Sequence, residues 1–237
     1  MMFEYRNTEM ELMDDPALEI GTIREILKDV NKANALLGGH RITLRAIREL
    51  SKEYPQEEYT IVDMGCGDGS MLRKVARYCK QQRINIKCIG VDLNENSIRI
   101  AREQSINFPN IEYLKQDILA LDTNNFHCDI LLCTLTMHHF SDEQIFMFLN
   151  KFVSLAKIGV VINDLQRSKL AYFLFKLFST FLMKTKIAKH DGLISIKSGF
   201  TKKDLAIFSS SLTNMVHRIR WRWAFRYEWV IKHPQNN

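Results

Sequence analysis

The stretch that decides the fold reads Ile61-Val62-Asp63-Met64-Gly65-Cys66-Gly67-Asp68-Gly69-Ser70. An apolar, strand-like run ends in a carboxylate and gives way to a turn with glycine at every second position, and a helix-like segment begins at Ser70. A second apolar run, Gly90-Val91-Asp92-Leu93, also reaches an acid. Glycines let a backbone approach a nucleoside closely, and a carboxylate at the next strand end can hold ribose hydroxyls. The two segments predict a nucleoside site.

The spacing of the glycines indicates which kind of nucleoside cofactor the predicted site would bind. The turn reads G-x-G-x-G, whereas a dinucleotide site needs G-x-G-x-x-G with pyrophosphate at the helix N-terminus. Asp63 and Asp68 would repel a pyrophosphate, so the turn favours a cofactor that has no phosphate and carries positive charge. A glycine turn without a ligand is the alternative for this motif taken alone.

Two later segments continue the pattern. Gln116-Asp117-Ile118 follows a strand-like Ile111-Glu112-Tyr113-Leu114, and an apolar run over residues 128–135 leads into Met137-His138-His139-Phe140. In this order the motifs resemble the class I S-adenosylmethionine-dependent methyltransferases, over residues 58–165.

The resemblance implies a role for each motif residue, with S-adenosylmethionine as cofactor and S-adenosylhomocysteine as product. Asp92 would hold the ribose hydroxyls and Leu93 would pack on adenine, while Asp117 would accept from the adenine amino group and Ile118 would cover the ring. The residues expected to meet the methionine part or to end the neighbouring strands at the same rim are Asp63, Gly65, Cys66, Gly67, Gly69, Cys133 and Thr134.

Alternating strand and helix patterns predict an α/β fold, with a Rossmann-like, seven-stranded, mostly parallel sheet and helices on both faces. Strands are expected near 59–64, 86–91, 111–115, 128–134 and 158–163, and helices near 70–82, 95–106 and 142–156. Residues 1–55 are predicted to form an N-terminal helical lid, broken at Gly38-Gly39. The methyltransferase domain would span 56–237, with a substrate-cap insertion at 164–212 and a C-terminal hairpin at 213–232, in one structural domain overall.

Composition agrees with a globular enzyme. The 237-residue chain is 46% hydrophobic and 25% charged, with a formal charge of +6. Its five cysteines show no C-x-x-C pairing, and no His/Cys cluster has zinc-ligand spacing, so reduced thiols and no metal are expected. The acidic, polar stretch of residues 1–15 does not resemble a secretion signal, and we expect a cytoplasmic protein, as a monomer or a homodimer.

The segment Ser168–Lys186 is unusually apolar, but its unbroken run is far shorter than the roughly 20 residues of a membrane-spanning helix. It fits a core or dimer-interface helix, or a cap over a lipophilic acceptor that touches a membrane surface. Residues 215–227 alternate basic and apolar side chains with a strand period. We expect the arginines on a solvated face and the aromatic residues on the buried face, which argues against a nucleic-acid surface.

Three histidines are candidate general bases, because the ordinary histidine pKa lies near working pH. His138 and His139 follow the fourth strand, and His190 is expected in a loop after the apolar segment; a structural loop role is the alternative for the first pair. Asn163-Asp164 is expected to end the fifth strand and to line the pocket. Arg167 is expected to be an exposed arginine at a helix start, with binding of a carboxylate or phosphate as the alternative.

The segment after the fourth strand narrows the acceptor class. Cys133-Thr134-Leu135-Thr136 lacks the prolines typical of amino-group nucleic-acid methylases, and Cys133 lacks the Pro-Cys context of cytosine C5 enzymes. The chain resembles small-molecule methyltransferases of the quinone-biosynthesis type. It also resembles bacterial ones associated with type III polyketide synthases, through segments 11–16, 163–172 and 190–201. We expect O- or C-methylation of a small apolar or phenolic acceptor; an RNA or protein methyltransferase and a non-catalytic cofactor-binding subunit are the alternatives.

Overall fold

A computed structural model describes residues 3–121 and 126–234 of the chain. Within them the helices are α1 (Ile20–Leu36), α2 (Gly39–Glu53), α3 (Ser70–Gln82), α4 (Glu95–Gln104), α5 (Asp142–Leu155), α6 (Lys169–Leu182), α7 (Lys186–Ser198) and α8 (Lys202–Ser210). The strands are β1 (Glu58–Met64), β2 (Asn85–Asp92), β3 (Ile111–Lys115), β4 (Cys128–Thr134), β5 (Ala156–Leu165), β6 (Val216–Arg222) and β7 (Arg226–Lys232). Short 3-10 turns lie at Leu12–Asp14 and Met137–His139.

The strands form one seven-stranded sheet over the described residues, in the order β3-β2-β1-β4-β5-β7-β6. The pairs from β3 to β5 are parallel, and β7 is antiparallel to both β5 and β6. The predicted α/β fold with a mostly parallel sheet is confirmed. Ligands of such sheets bind beyond the carboxyl ends of the strands, at the point where the strand order reverses. Here that point lies between β1 and β4.

Two hydrophobic cores, one on each face, hold the sheet. Helices α2, α3 and α4 contribute side chains such as Leu50, Leu72 and Ile98 to one core. Helices α5 and α8 contribute Phe148 and Phe208 to the other. Strand β4 is buried along almost its whole length, as expected of a central parallel strand covered on both faces. All five cysteines are buried, and none is paired with another.

The N-terminal helices break where the glycine pair predicts. Gly38 adopts φ +74°, a left-handed conformation that glycine tolerates, and α2 begins immediately after it. Ile26 of α1 packs against Met183, directly after α6, and against Ala188 of α7. Helix α8 packs instead in the core that also holds α5.

Helix α6 differs from a core helix, because much of its apolar surface is exposed. Leu170, Phe173, Leu177 and Phe181 are all more than half exposed. Within the described residues no helix combines the length and the apolar character needed to cross a bilayer.

The C-terminal hairpin is present, and its two faces match the prediction only in part, since Tyr227 is buried and Arg220 is exposed as expected. Trp221 and Trp223 are exposed, whereas Arg222 donates to the buried carboxylate of Glu228 at 2.8 Å and Arg218 pairs with Glu49 at 2.6 Å. The alternation identifies a strand but cannot reveal which face meets carboxylates from elsewhere in the fold. A fully buried Glu228 draws the arginines inward.

Candidate active site

The glycine turn joins β1 to α3 with each glycine in a left-handed conformation. Gly65, Gly67 and Gly69 have φ of +75°, +54° and +74°. A Cβ on Gly65 would clash with the Thr136 side chain, and one on Gly69 would clash with the Tyr113 ring. The turn therefore needs glycine for its backbone angles and for close packing.

Two carboxylates lie close together beside this turn, Asp63 near the end of β1 and Asp92 at the end of β2. The Asp92 oxygens accept from the Gly67 N–H at 2.8 Å and the Asn94 N–H at 2.9 Å. Asp63 is 1% exposed and its Oδ1 has no hydrogen-bond partner among the described residues. Burial, reinforced by the Asp92 charge, raises the pKa of Asp63 well above its ordinary value. Burial also raises the pKa of Asp92, partly offset by the two N–H donors.

The third acid of the turn, Asp68, is already compensated. Arg73 pairs with its carboxylate at 3.5 Å, and Asn31 donates to the same carboxylate at 2.8 Å. Asp68 therefore stabilises the turn, and the uncompensated negative charge of the site belongs to Asp63 and Asp92.

A cavity of about 930 Å³ opens at the carboxyl end of the sheet, and residues of the glycine turn and Asp92 line it. Most predicted site residues lie along its wall, namely Asp63, Gly65, Cys66, Gly67, Asp92, Leu93, Ile118, Thr134, His138 and His139. Side chains of the N-terminal segment, α1, α2, α6, α7 and the β6–β7 hairpin also line it.

Four predicted site residues do not line the cavity. Gly69 faces Tyr113, and Asp117 is exposed, with its carboxylate accepting from the Leu119 N–H at 2.8 Å. Cys133 points into the core beneath the sheet, and burial raises the pKa of its thiol well above the ordinary value. His190 is 44% exposed on its side chain.

The prediction of a loop at His190 is wrong, because residues 186–198 form α7. Ala188, Asp191 and Ser195 share the face of α7 that lines the cavity, and position 190 falls outside that spacing. Asp191 accepts from the Leu12 and Met13 N–H groups, both at 2.9 Å, and so fixes the N-terminal 3-10 turn against α7.

His138 lies at the centre of a buried ionic cluster. Its Nδ1 donates to Asp164 Oδ1 at 2.6 Å, and its Nε2 lies 3.5 Å from Glu11 Oε1, which also accepts from the Ser195 hydroxyl. Burial alone would lower the pKa of His138, but the two carboxylates outweigh it and raise that pKa to about 10. His138 is therefore a cation at neutral pH, held between Asp164 and Glu11, whose pKa values are both lowered.

His139 stacks on His138 with ring centroids 4.4 Å apart and is exposed at the cavity rim. Its Nδ1 lies 3.4 Å from Asp14 Oδ2. Glu11, His138 and His139 bring atoms of the kind that bind metals within 4.8 Å of one another. The sequence spacing from which we expected no metal does not reveal this group, because Glu11 is distant from the histidines in the chain.

Several cavity residues were missed by the sequence analysis. Glu11 comes from a segment singled out only for its resemblance, and Asn34 and His40 lie on helices without any motif. Arg226 lies in the alternating segment 215–227, but it is buried at the cavity instead of on the expected solvated face. Arg167, predicted to be exposed, is buried, donates to the Gly199 carbonyl at 2.6 Å and pairs with Asp204 at 3.0 Å. These contacts fix the segment between β5 and α6 against the α7–α8 junction.

Comparisons with known proteins agree with this architecture. Residues 61–159 match the sequence profile of a family described as "Methyltransferase domain". None of the curated sequences compared with the chain matches it.

Several solved structures share the fold. The plantazolicin methyltransferase BpumL in complex with SAH is 15% identical, with a TM-score of 0.67 over 91% of this chain and 95% of that one. A SAM dependent methyltransferase from Aquifex aeolicus is 15% identical, with a TM-score of 0.59 over 91% and 99%. The magnesium protoporphyrin IX methyltransferase from Synechocystis PCC 6803 with bound SAM is 14% identical, with a TM-score of 0.55 over 83% and 80%.

At these identities the structural likeness establishes the fold, and the matched profile identifies the domain within it. Residues 61–159 therefore match a methyltransferase domain, within a sheet whose fold is shared with solved S-adenosylmethionine-dependent methyltransferases.

Proposed function

We propose that this chain transfers a methyl group from S-adenosylmethionine to a small, apolar or phenolic acceptor, at oxygen or carbon. The observation that carries the proposal is the unpartnered, buried Oδ1 of Asp63 on the wall of the cavity, next to Asp92 at the glycine turn. A buried carboxylate without a partner is costly, and a cationic ligand relieves that cost. The ammonium group of S-adenosylmethionine fits this requirement.

The residues of the turn fit the rest of the cofactor as well. Each Asp92 oxygen uses one lone-pair direction for a backbone N–H and keeps another free for a ribose hydroxyl. Leu93 and Ile118 present apolar surface to the cavity for an adenine ring. When bound, the cofactor supplies a methyl group on a sulfonium, an electrophile that is already activated.

The protein then has to orient the acceptor, exclude water and take a proton where the acceptor is a hydroxyl. His138 does not suit the last task, because it is already protonated between Asp164 and Glu11. We assign it to positioning His139 by stacking, and we assign the base role to His139, which lines the cavity. His190, off the cavity wall, has no direct role in this proposal.

The acceptor part of the cavity is apolar. Leu174, Phe175 and Phe178 of α6 and Ile196 of α7 line it, and a Cβ on Gly192 would clash with the Phe175 ring, so α6 and α7 pack closely here. Such walls favour a lipophilic acceptor and exclude water. The lid role of residues 1–55 and the cap role of α6 and α7 belong to this proposal.

An RNA or protein substrate is less well supported. The arginines of the C-terminal hairpin are paired with Glu49 and Glu228, so much of the basic character of that face is neutralised inside the fold. Methylation at oxygen or carbon is inferred from the resemblance to quinone-biosynthesis and polyketide-associated methyltransferases, and this part of the proposal stays a prediction.

We also propose that the exposed face of α6 contacts an anionic lipid surface. Leu170, Phe173, Leu177 and Phe181 follow one side of the helix, and residues 165–190 contain five lysines and no acidic residue. A second copy of the chain would oppose lysines to lysines. Cosedimentation with phosphatidylglycerol vesicles, lost in a Phe173→Ser/Phe181→Ser variant, is expected; equal binding to phosphatidylcholine, or dimerisation through this face, would contradict it.

The function is tested by transfer of a labelled methyl group from S-adenosylmethionine to alkylphenols, with total RNA and a protein mixture as competing acceptors. We expect label in the alkylphenol fraction. Preferential labelling of RNA, with binding that weakens steeply as salt rises, would refute the acceptor class.

A further inference from the structure

The inner end of the cavity, next to β7, holds a buried arginine that makes no ion pair with residues 3–121 or 126–234. Arg226 is 3% exposed, lines the cavity, and neither its Nε nor its Nη1 has an acceptor among the described residues. Burial lowers its pKa to about 10, so it remains protonated at neutral pH. Unlike Arg222 on the same hairpin, it meets no carboxylate within ion-pair distance in the described part of the chain.

The nearest source of negative charge does not compensate it. Asp164 influences Arg226 through space, but its carboxylate is committed to His138 and to the Leu165 N–H. A buried guanidinium left in this state is among the most costly arrangements a fold can contain. The cost implies that an anion completes the site.

The surroundings of Arg226 form a built polar site. His40 Nε2 and Asn34 Oδ1 are also buried without hydrogen-bond partners in the described part of the chain, and both residues line the same cavity. A Cβ on Gly39 would come within 2.8 Å of the Arg226 guanidinium, so glycine at this position leaves room for that group. Burial, then the charges of Lys74 and Arg226, lower the pKa of His40 to about 4, so the ring is neutral and one of its nitrogens donates.

We propose that Arg226, together with His40, binds a carboxylate-type oxyanion carried by the methyl acceptor, which makes the acceptor an apolar acid. The inference rests on the proposed function, because it places the acceptor in this cavity. The cofactor's own carboxylate is the other source of the same chemistry. Arg226 lies three strands from β1, about 14 Å at roughly 4.8 Å a strand, on the far side of β4 and β5 from the glycine turn. That separation favours the acceptor.

The test uses two probes with one ring system, 2-naphthoate and 2-naphthylmethanol, titrated into protein saturated with S-adenosylhomocysteine and followed by calorimetry or ligand-observed NMR. A charged hydrogen bond of ordinary strength predicts that 2-naphthoate binds roughly 10- to 100-fold more tightly. Arg226→Met should abolish the preference and leave S-adenosylhomocysteine affinity unchanged. Arg220→Met, at a neighbouring arginine paired with Glu49, should keep the preference.

The outcomes separate the two proposals. Absence of any preference in the wild type, or an unchanged preference in Arg226→Met, would overturn the oxyanion site. An equal loss of S-adenosylhomocysteine affinity in Arg226→Met would overturn its assignment to the acceptor. Should the methionine variant not fold, Arg226→Lys, which keeps the charge without the planar fork, is expected to retain part of the preference. Failure of S-adenosylhomocysteine to bind wild type at all would instead refute the proposed function.

Discussion

Replacing Asp63 by asparagine tests the electrostatic design of the site most cleanly. Asp92 supports the glycine turn through two backbone N–H groups, so its removal would disturb the fold as well as the ligand. Asp63 Oδ1 supports nothing within the described residues. The substitution Asp63→Asn therefore removes a charge and keeps the shape.

The size of the effect follows from the burial of the carboxylate. A hydrogen bond between a buried carboxylate and an ammonium group contributes about 1.5–3 kcal/mol, which corresponds to a loss of roughly 10- to 150-fold in affinity for S-adenosylhomocysteine. The free protein should behave in the opposite way. The raised pKa of Asp63 means that the folded state holds a proton that the unfolded chain releases, so stability falls as pH rises above the ordinary carboxyl pKa. Asp63→Asn should remove that loss.

Calorimetric titration and thermal unfolding, each measured from pH 5 to 9, check both statements. Wild-type affinity should rise with pH as Asp63 ionises, and the variant should lose this dependence. Glu57→Gln, at an exposed acid whose side chain makes no ion pair among the described residues, serves as the control and should change neither property. Unchanged affinity in Asp63→Asn at every pH would refute the reasoning.

Three further predictions concern the cluster, the turn and the base. Asp164→Asn leaves His138 buried without its main partner and should cost about 3–5 kcal/mol of unfolding free energy at pH 7 in denaturant titrations. In the wild type this contribution is complete below the ordinary histidine pKa and is lost as pH rises through about 10. A wild-type protein equally stable at pH 7 and pH 10.5 would contradict this prediction. Gly69→Ala places a methyl group against the Tyr113 ring at a positive φ and should lower the free energy of unfolding by about 2–4 kcal/mol. Gly21→Ala, in open space on α1, should not lower it. Equal denaturation midpoints for the two variants would contradict the packing argument. His139→Ala should lower kcat by roughly 100-fold or more at unchanged S-adenosylhomocysteine affinity. His190→Ala should leave kcat unchanged. Equal kcat values in the two variants would place the proton transfer elsewhere.

Local patterns predict the sheet and the cofactor turn well. Glycine spacing, strand-end acids and alternating periodicity locate β1 to β5 and the helices between them, because each depends on neighbours in the chain. Helix α3 spans Ser70–Gln82 as predicted, and the helices expected near 95–106 and 142–156 end within two residues of the prediction.

The polar half of the cavity could not be predicted in the same way. Glu11, His138 and Asp164 come from three distant segments, and only the folded sheet end brings them into one ion cluster. Arg226 and Trp223 belong to a strand and a turn whose period is clear, but the face that each presents depends on Glu228 and on the helices above. Ion pairs between distant segments therefore decide which face each side chain of the hairpin occupies, and the local sequence period does not predict it.

We expect S-adenosylmethionine to bind at the carboxyl ends of β1 and β2. A crystal structure of the protein grown with S-adenosylhomocysteine would test this binding site. We predict ligand density along the Gly65–Gly67 turn, with ribose hydroxyls on Asp92 and the amino group at Asp63. Density elsewhere in the fold, or none at saturating ligand, would contradict it.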